Sequence, residues 1–286
     1  MHEPWLSVDW TAPWWDGLQG RGAAVLQAWQ GGAMPLHQAL NTVWAADAAA
    51  SGVPVRFVPQ SALPEGQAYE AHLWQARECP TRDNAHDFFN GLMWMRFPQT
   101  KRRINELQAA EIARDGVRSV RGPVRDALTL LDENGALLLA PPDLLPWLHE
   151  ALQARRWHEL LVTRRADWAR VRVFVLGHAL LEKLLNPRKD LTAHVWSAPL
   201  VPPAASAGTL AKAIDAAALE QAADAAALEQ AVDAAWAASL TPATLAAKPF
   251  APLPVLGVPG WWPANEHSGF YKDAAVFRPA RRADRA

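Results

Sequence analysis

The pattern of hydrophobic and polar positions along the chain predicts helices in most segments and strands in few. Residues 53–58 alternate between the two kinds, which predicts a strand. Other patterned segments are bounded by Gly, Pro or Asn and have the composition of helices. These predicted helices cover residues 22–31, 35–50, 69–77, 84–112, 143–154, 157–165 and 166–185.

Helix 84–112 has the clearest boundary signals. Asn84 can accept a hydrogen bond from the first turn as an N-cap, and Asp87 follows three residues later, as in a capping box. Pro98 should kink or split this helix, because proline lacks an N–H and clashes with the preceding turn.

Residues 127–140 predict a β-hairpin, because two apolar runs flank Asn134-Gly135, a strong hairpin turn signal. The predicted fold class is therefore α+β and mainly helical. It has a helical core, one small β-hairpin or sheet, an extended Trp-rich N-terminal arm and a C-terminal strap.

Composition divides the chain further. Residues 1–20 are the predicted arm, and residues 21–200 are the main helical domain. Residues 201–248 are a linker followed by an Ala-rich nine-residue repeat over 213–236, predicted to be a duplicated helical spacer. Residues 249–280 are the strap, which we expect to pack on the main domain because its aromatic side chains would be costly in water.

Composition also limits the class of protein. The chain has 286 residues and a net charge of −1, which argues against a polybasic nucleic-acid arm. Its single Cys excludes a disulfide scaffold, and no apolar run approaches ~18 residues, so we expect no membrane span. No signal peptide is visible, so we expect a cytoplasmic protein. The 15 Trp residues either fill a loop-rich fold or form a platform for a carbohydrate or nucleobase.

The first candidate site lies on helix 84–112. His86, Asn90, Trp94 and Lys101 recur at helical spacings and share one face, while the flanking positions are apolar almost all round. These polar side chains therefore point into a pocket or a polar seam. They either line a catalytic site or form a hydrogen-bonded network that locks two helices.

The second candidate is His178 with Glu182, whose i, i+4 spacing places both on one helical face. Such a pair can bind one divalent metal ion, or act as a base with its orienting carboxylate. His86 and Asp87 would complete a metal site. The alternative is that His178 is a hydrogen-bonded core histidine. Gly177 beside it would allow close approach of another backbone.

Two further groups of charged side chains are candidate binding residues. Asp132 and Glu133 are adjacent acids that can bind metal at a hairpin tip, although such turns favour acids anyway. An arginine cluster can hold a phosphate or carboxylate, or form ordinary ion pairs. That cluster comprises Arg121, Arg125, Arg164 and Arg165, and the predicted substrate-binding residues are Arg82, Trp94, Arg125 and Arg164.

Several stretches together resemble the bacterial family known as domain of unknown function 3025. They are residues 81–90, 125–135, 177–182 and 257–265, with Trp94, Phe97-Pro98, Lys101 and Asn105 between them and Phe270-Tyr271 and residues 276–279 after them. The resemblance covers roughly residues 50–200 and 250–280. It implies a bacterial origin and no particular activity. Lys272 stands where the family pattern favours an acid, which weakens any metal role for the tail.

The sequence supports two main hypotheses and leaves open whether the protein is an enzyme. The first is a metal-assisted hydrolase or related acid–base enzyme on a small anionic substrate, using one divalent ion. It requires His86 and His178 within a few Å of each other around a cavity. The second is a binding or scaffold protein, which should expose a large apolar patch. Nucleic-acid binding is the weakest alternative, and the oligomeric state is open.

Overall fold

Most of the described helices begin where the sequence places Pro or Asn, and three of them end at a Gly, namely Gly52, Gly116 and Gly135. Proline fits the first helical turn, because the N–H that it lacks has no partner there in any case. The computed structural model describes residues 4–117, 122–214 and 225–280. Its helices are α1 (Gln19–Trp29), α2 (Leu36–Ser51), α3 (Tyr69–Ala76), α4 (Ala85–Arg96), α5 (Pro98–Asp115), α6 (Pro123–Asn134), α7 (Leu145–Gln153), α8 (His178–Lys183), α9 (Ala204–Ile214), α10 (Ala225–Ser239) and α11 (Pro242–Ala246).

Two small sheets accompany the helices, which confirms the mainly helical α+β class. Parallel strands β1 and β2 form one sheet, and the other has the order β4-β3-β5-β6. In the larger sheet β3 pairs antiparallel with β4 and parallel with β5, and β5 pairs antiparallel with β6. The strands are β1 (Arg56–Pro59), β2 (Glu78–Thr81), β3 (Gly135–Leu139), β4 (Arg172–Val175), β5 (Thr192–Trp196) and β6 (Phe250–Pro254).

The predicted hairpin over residues 127–140 is wrong. Pro123 occupies the first turn of α6, and the helix ends where the Gly135 N–H donates to the Leu131 carbonyl. All five residues of β3 are buried, because it lies between β4 and β5 in the sheet. Asn134-Gly135 therefore joins a helix to a buried central strand instead of turning a hairpin.

The predicted helix over 166–185 is correct only near its end. A 3₁₀ turn over Arg165–Arg170 is followed by β4, and α8 begins at His178. Val and Phe in β4 favour a strand, and Gly177 separates that strand from α8. The expected break of helix 84–112 at Pro98 is confirmed, since α4 ends and α5 begins there.

Tryptophan side chains from the N-terminal residues fill the core. Trp5 and Trp15 are each 2% exposed, and Trp15 stacks on Phe89 of α4 with ring centroids 5.3 Å apart. At the other end of the sequence, β6 belongs to the larger sheet. Both ends of the described chain therefore contribute to the same buried interior.

The Ala-rich repeat is described from residue 225 onward, and residues 215–224 lie outside the described part. The end of its second copy and its partial third copy lie in α10, in which Leu228, Val232 and Trp236 are at most 2% exposed. Their i, i+4, i+8 spacing gives α10 an apolar stripe, which packs against the main body. Across the described ranges, no helix combines the length and apolar character that crossing a membrane requires.

Candidate functional site

The ends of four helices meet at one cavity of about 350 Å³. His86 lies in the first turn of α4, Lys101 in the first turn of α5, Glu133 in the last turn of α6, and His178 at the start of α8. All four side chains line the cavity. Helix ends leave backbone N–H or C=O groups without intrahelical partners. The cavity at which these four ends meet is therefore a polar region within an apolar fold.

Two histidines face each other at this meeting point. The Nε2 atoms of His86 and His178 are 3.0 Å apart, and their rings are nearly perpendicular. His86 Nδ1 lies 3.0 Å from Glu182 Oε2, and His178 Nδ1 lies 3.9 Å from Asp132 Oδ2. Because a carboxylate only accepts hydrogen bonds, the ring proton of His86 lies on Nδ1, and its Nε2 lone pair faces His178. His178 Nδ1 is too far from Asp132 for a hydrogen bond, so the ring proton of His178 can lie on Nε2 and donate to His86, or lie on Nδ1 and leave two Nε2 lone pairs that a cation between them would stabilise.

Glu133 adds a carboxylate to the histidine pair. Its Oε1 atom is 3.9 Å from His178 Nε2. One ligand atom from each of His86, Glu133 and His178 lies within 4.8 Å of the others. Two histidines and one carboxylate, with room left on the cavity side, are a donor set that catalytic zinc sites use.

The close approach of α8 to the end of α6 depends on Gly177. A Cβ atom on Gly177 would lie 2.5 Å from Asn134 Cα and 2.6 Å from the Glu133 carbonyl oxygen. No side chain fits in that gap, so glycine lets the two backbones touch. This contact, which the sequence predicted at Gly177, brings Glu133 and His178 together.

Burial sets the charge state of the cluster. Burial lowers the pKa of His178 to about 3, against the opposing effect of the Asp132 carboxylate. The His178 ring is therefore neutral at neutral pH, which is the form that binds metal. Burial, together with the neighbouring charge of Asp132, raises the pKa of Glu133.

Lys101 forms the opposite wall of the cavity. Its Nζ donates to Asn90 Oδ1 at 2.8 Å and forms a short ion pair with Asp132. Burial by itself raises the pKa of Asp132, but Lys101 and His178 outweigh it, so that pKa lies below its ordinary value. Asp132 thus connects the lysine to the histidine pair.

Asp87 pairs with Arg82 and is not part of the group formed by His86, Glu133 and His178. Its carboxylate accepts from the Arg82 backbone N–H at 2.6 Å and from the Arg82 guanidinium at 3.0 and 3.1 Å. Its own N–H donates to Asn84 Oδ1 at 2.8 Å, which confirms the N-cap. Asp87, a predicted metal ligand, is therefore not in the group of ligand atoms that lie together, whereas Glu133 is. Glu182, the other predicted carboxylate ligand, accepts a hydrogen bond from His86 Nδ1, on the side of the ring away from His178.

The predicted substrate-binding residues are not all at the cavity. Trp94, 2% exposed, and Arg82, paired with Asp87, line it. Arg125 does not line the cavity, and its Nη2 is 3.9 Å from Oε1 of Glu70, which does. Arg164 pairs with Asp167 and stacks over Trp147, away from the cavity. Arg121 lies outside the described residues, and Arg165 binds Asn265 and Glu266.

Sequence reasoning missed the connection between Glu133 and the histidines. The sequence predicts Glu133 as a metal ligand at a hairpin tip, separate from His178. Pro123 was the available signal, because proline at the first turn followed by apolar residues at 124, 127, 128 and 131 is typical of an amphipathic helix. That helix places Glu133 in its last turn, near the start of α8.

Comparison with known proteins identifies a family. The family model described as "Protein of unknown function (DUF3025)" matches residues 55–281. Neither a curated protein nor a solved structure shows a significant match to the chain.

Proposed function

The chain belongs to the DUF3025 family of proteins of unknown function, and for it we propose a metal-assisted hydrolase or a related acid–base enzyme. The ligands of one divalent ion would be His86, His178 and Glu133. Glu182 would orient His86, and Lys101 with Asn90 would polarise the substrate. The reaction would take place in the cavity that these side chains line.

The observation that carries this proposal is the 3.0 Å separation of the two Nε2 atoms. Two nitrogen ligands in a tetrahedral zinc site, each ~2.1 Å from the ion, lie ~3.4 Å apart. A small side-chain rotation therefore takes this pair to ligand spacing. The Nδ1 contact of His86 with Glu182 is typical of metal-binding histidines, because a carboxylate there fixes the tautomer and ring orientation.

A bound divalent ion would supply Lewis acidity and lower the pKa of a coordinated water molecule. The chain's own groups would do the rest. Glu182 would hold the proton of His86 on Nδ1. Lys101, anchored by Asp132 and Asn90, would present its ammonium group to a developing negative charge on the substrate.

The same geometry also supports an acid–base enzyme without metal. Glu182, His86 and His178 form a continuous chain of contacts, in which His86 can exchange a proton with His178 through their Nε2 atoms. The metal titration below separates this mechanism from the metal-assisted one.

The binding or scaffold alternative has less support. It predicted a large exposed apolar patch, but the only large hydrophobic residues exposed within the described ranges are Val117 and Val201. They lie in different connecting segments and form no patch by themselves. The polar cluster also opens onto a cavity, whereas a purely structural network needs no space beside it.

The proposal is tested by isothermal titration of the metal-stripped protein with Zn²⁺ and Mn²⁺, together with hydrolysis assays on chromogenic esters and amides. We expect one ion per chain with a dissociation constant of ~1 μM or lower and metal-dependent turnover. His178→Ala should weaken binding by ~100-fold or more and remove turnover.

His149→Ala is the matched control, because His149 is a half-buried histidine on α7 that does not line the cavity. It should bind metal as the parent does. Metal-independent turnover that His178→Ala abolishes would assign the acid–base mechanism. No metal binding and no turnover in the folded parent would overturn the proposal and assign the cluster to the structural alternative.

A further inference from the structure

We propose that the group by which the substrate is recognised is neutral and carries a hydrogen-bond donor beside an acceptor, as a carboxamide or a nucleobase edge does. Gln108 and Asn105 of α5 would bind it. The inference rests on the proposed function only for the statement that the reacting bond lies at the histidine end of the cavity.

The charges around the cavity disfavour an anionic substrate. Its described lining contains two basic side chains, Arg82 and Lys101, against four acidic ones, Glu70, Asp87, Asp132 and Glu133. Both basic groups are already paired, Arg82 with Asp87 and Lys101 with Asp132. Away from the divalent ion that the proposed function places at the histidines, an anion entering this space would meet no unpaired cation among these residues, and burying an unpaired charge is costly.

Two amide side chains supply the missing specificity. Asn105 and Gln108 lie one turn apart on the cavity face of α5 and are 5% and 7% exposed. Asn105 Nδ2 donates to the Glu70 carbonyl at 2.8 Å, while its Oδ1 accepts no hydrogen bond from the described residues. Gln108 has no hydrogen-bond partner anywhere in the described part of the chain.

None of the unpaired amide atoms of Asn105 and Gln108 is fully enclosed, so they are open to the cavity and available to hydrogen-bond a ligand. Gln108 offers a carbonyl acceptor and an NH₂ donor side by side, and Asn105 adds a second acceptor. A planar neutral group with its own adjacent donor and acceptor matches this pattern. Leu73 and Ile104 line the same half of the cavity and would contact an apolar part of the ligand.

The test is ligand-observed NMR titration of the full chain with benzamide, its isosteric anion benzoate, and uridine as the nucleobase probe. We expect at least one of the two neutral probes, benzamide or uridine, to bind at least ~10-fold more tightly than benzoate, as one satisfied hydrogen bond would give. The neutral probe that binds more tightly shows whether the site prefers a carboxamide or a nucleobase edge. Gln108→Met, which keeps the size and removes the amide, should weaken that binding by ~10-fold.

Gln108→Glu is the sharper variant, because it replaces the donor with an acceptor and adds a negative charge. It should move the preference from benzamide to benzamidine, which is a cation that only donates. Gln75→Met is the matched control, since Gln75 is exposed on α3 and does not line the cavity.

Benzoate binding as tightly as benzamide and uridine in the parent would overturn the inference without any variant. So would failure of both neutral probes to bind, or no change in Gln108→Met. The metal titration is independent of these results. Metal binding without neutral-probe binding removes this inference alone, whereas probe binding that depends on Gln108 without metal binding or turnover removes the proposed function alone.

Discussion

Helix α4 carries a polar cluster at each end, and the two clusters are built in opposite ways. At its C-terminal end, Arg96 donates to Glu229 of α10 at 2.8 Å, and Arg21 reaches the same carboxylate at 3.1 Å. At its N-terminal end, His86 faces a second imidazole nitrogen, with two acids close by.

The difference lies in complementarity. Around Arg96, opposite charges meet. Next to it, the Asp233 carboxylate accepts from the backbone N–H groups of Gln99 and Thr100 at the start of α5. Around His86, groups of similar character converge on a cavity. Burial of polar groups is therefore no sign of function by itself. Two imidazoles and a carboxylate that meet beside a cavity, instead of pairing with opposite charges, are the informative feature.

The largest expected effect breaks the complementary cluster. Glu229→Ala leaves Arg96, 4% exposed, without its main partner, and breaking a buried pair from one side costs about 3–5 kcal/mol. Denaturant unfolding should show this loss, while any metal binding by the folded fraction stays unchanged. Glu150→Ala, which removes an exposed partner of Arg156, is the control and should cost under ~1 kcal/mol. Equal losses in the two variants would contradict the comparison.

A second effect concerns pH. Burial raises the pKa of Asp233 from 3.8 to about 6, so the folded state holds this proton more tightly than the unfolded state does. The stabilisation is therefore complete below pH ~4 and is lost as pH rises to ~6, amounting to at most ~3 kcal/mol.

Asp233→Asn should remove this dependence. The unfolding free energy of the parent, measured relative to that of Asp233→Asn, should fall between pH ~4 and ~6 and stay level above. A relative stability that rises with pH over that range would show that the helix N–H groups dominate over burial and hold the pKa down.

A third, intermediate effect tests the backbone contact behind the convergent cluster. Gly177→Ala places a methyl group 2.5 Å from Asn134 Cα and should cost ~1–3 kcal/mol through overpacking. It should also weaken metal binding by moving Glu133 away from His178. Gly20→Ala in α1, where a Cβ meets nothing within 4 Å, should instead be neutral or slightly stabilising. Unchanged stability in Gly177→Ala would mean that the backbones of α6 and α8 can separate at no cost to make room for a methyl group.

The smallest expected effect concerns Glu182. Glu182→Gln keeps the size of the side chain but weakens its hold on the Nδ1 proton of His86, and it should lower metal affinity by ~10-fold with little change in stability. Glu106→Gln is the control, because Glu106 is about as exposed and pairs only with Arg103 among the described contacts. Loss of stability without loss of metal affinity would place Glu182 in a structural role.

Local signals in the sequence located much of the site, because they depend on near neighbours. The Asn84 cap and the break at Pro98 follow from hydrogen bonding within one turn. The i, i+4 spacing of His178 and Glu182 survives within α8, although the long helix predicted around them does not exist. Both side chains reach His86, as side chains on one helical face can.

The sequence by itself determined the fold class and the family, because composition, spacing and motifs express them directly, and it placed His86 and His178 among the candidate site residues. Only the tertiary structure decided which carboxylate joins the histidines. Asp87 forms an ion pair with Arg82, five residues before it. Glu133 lies near His178 because α6 and α8 are in contact at Gly177. The physical reason is that ligand sets form between helix ends, and packing over long sequence distances decides which ends meet.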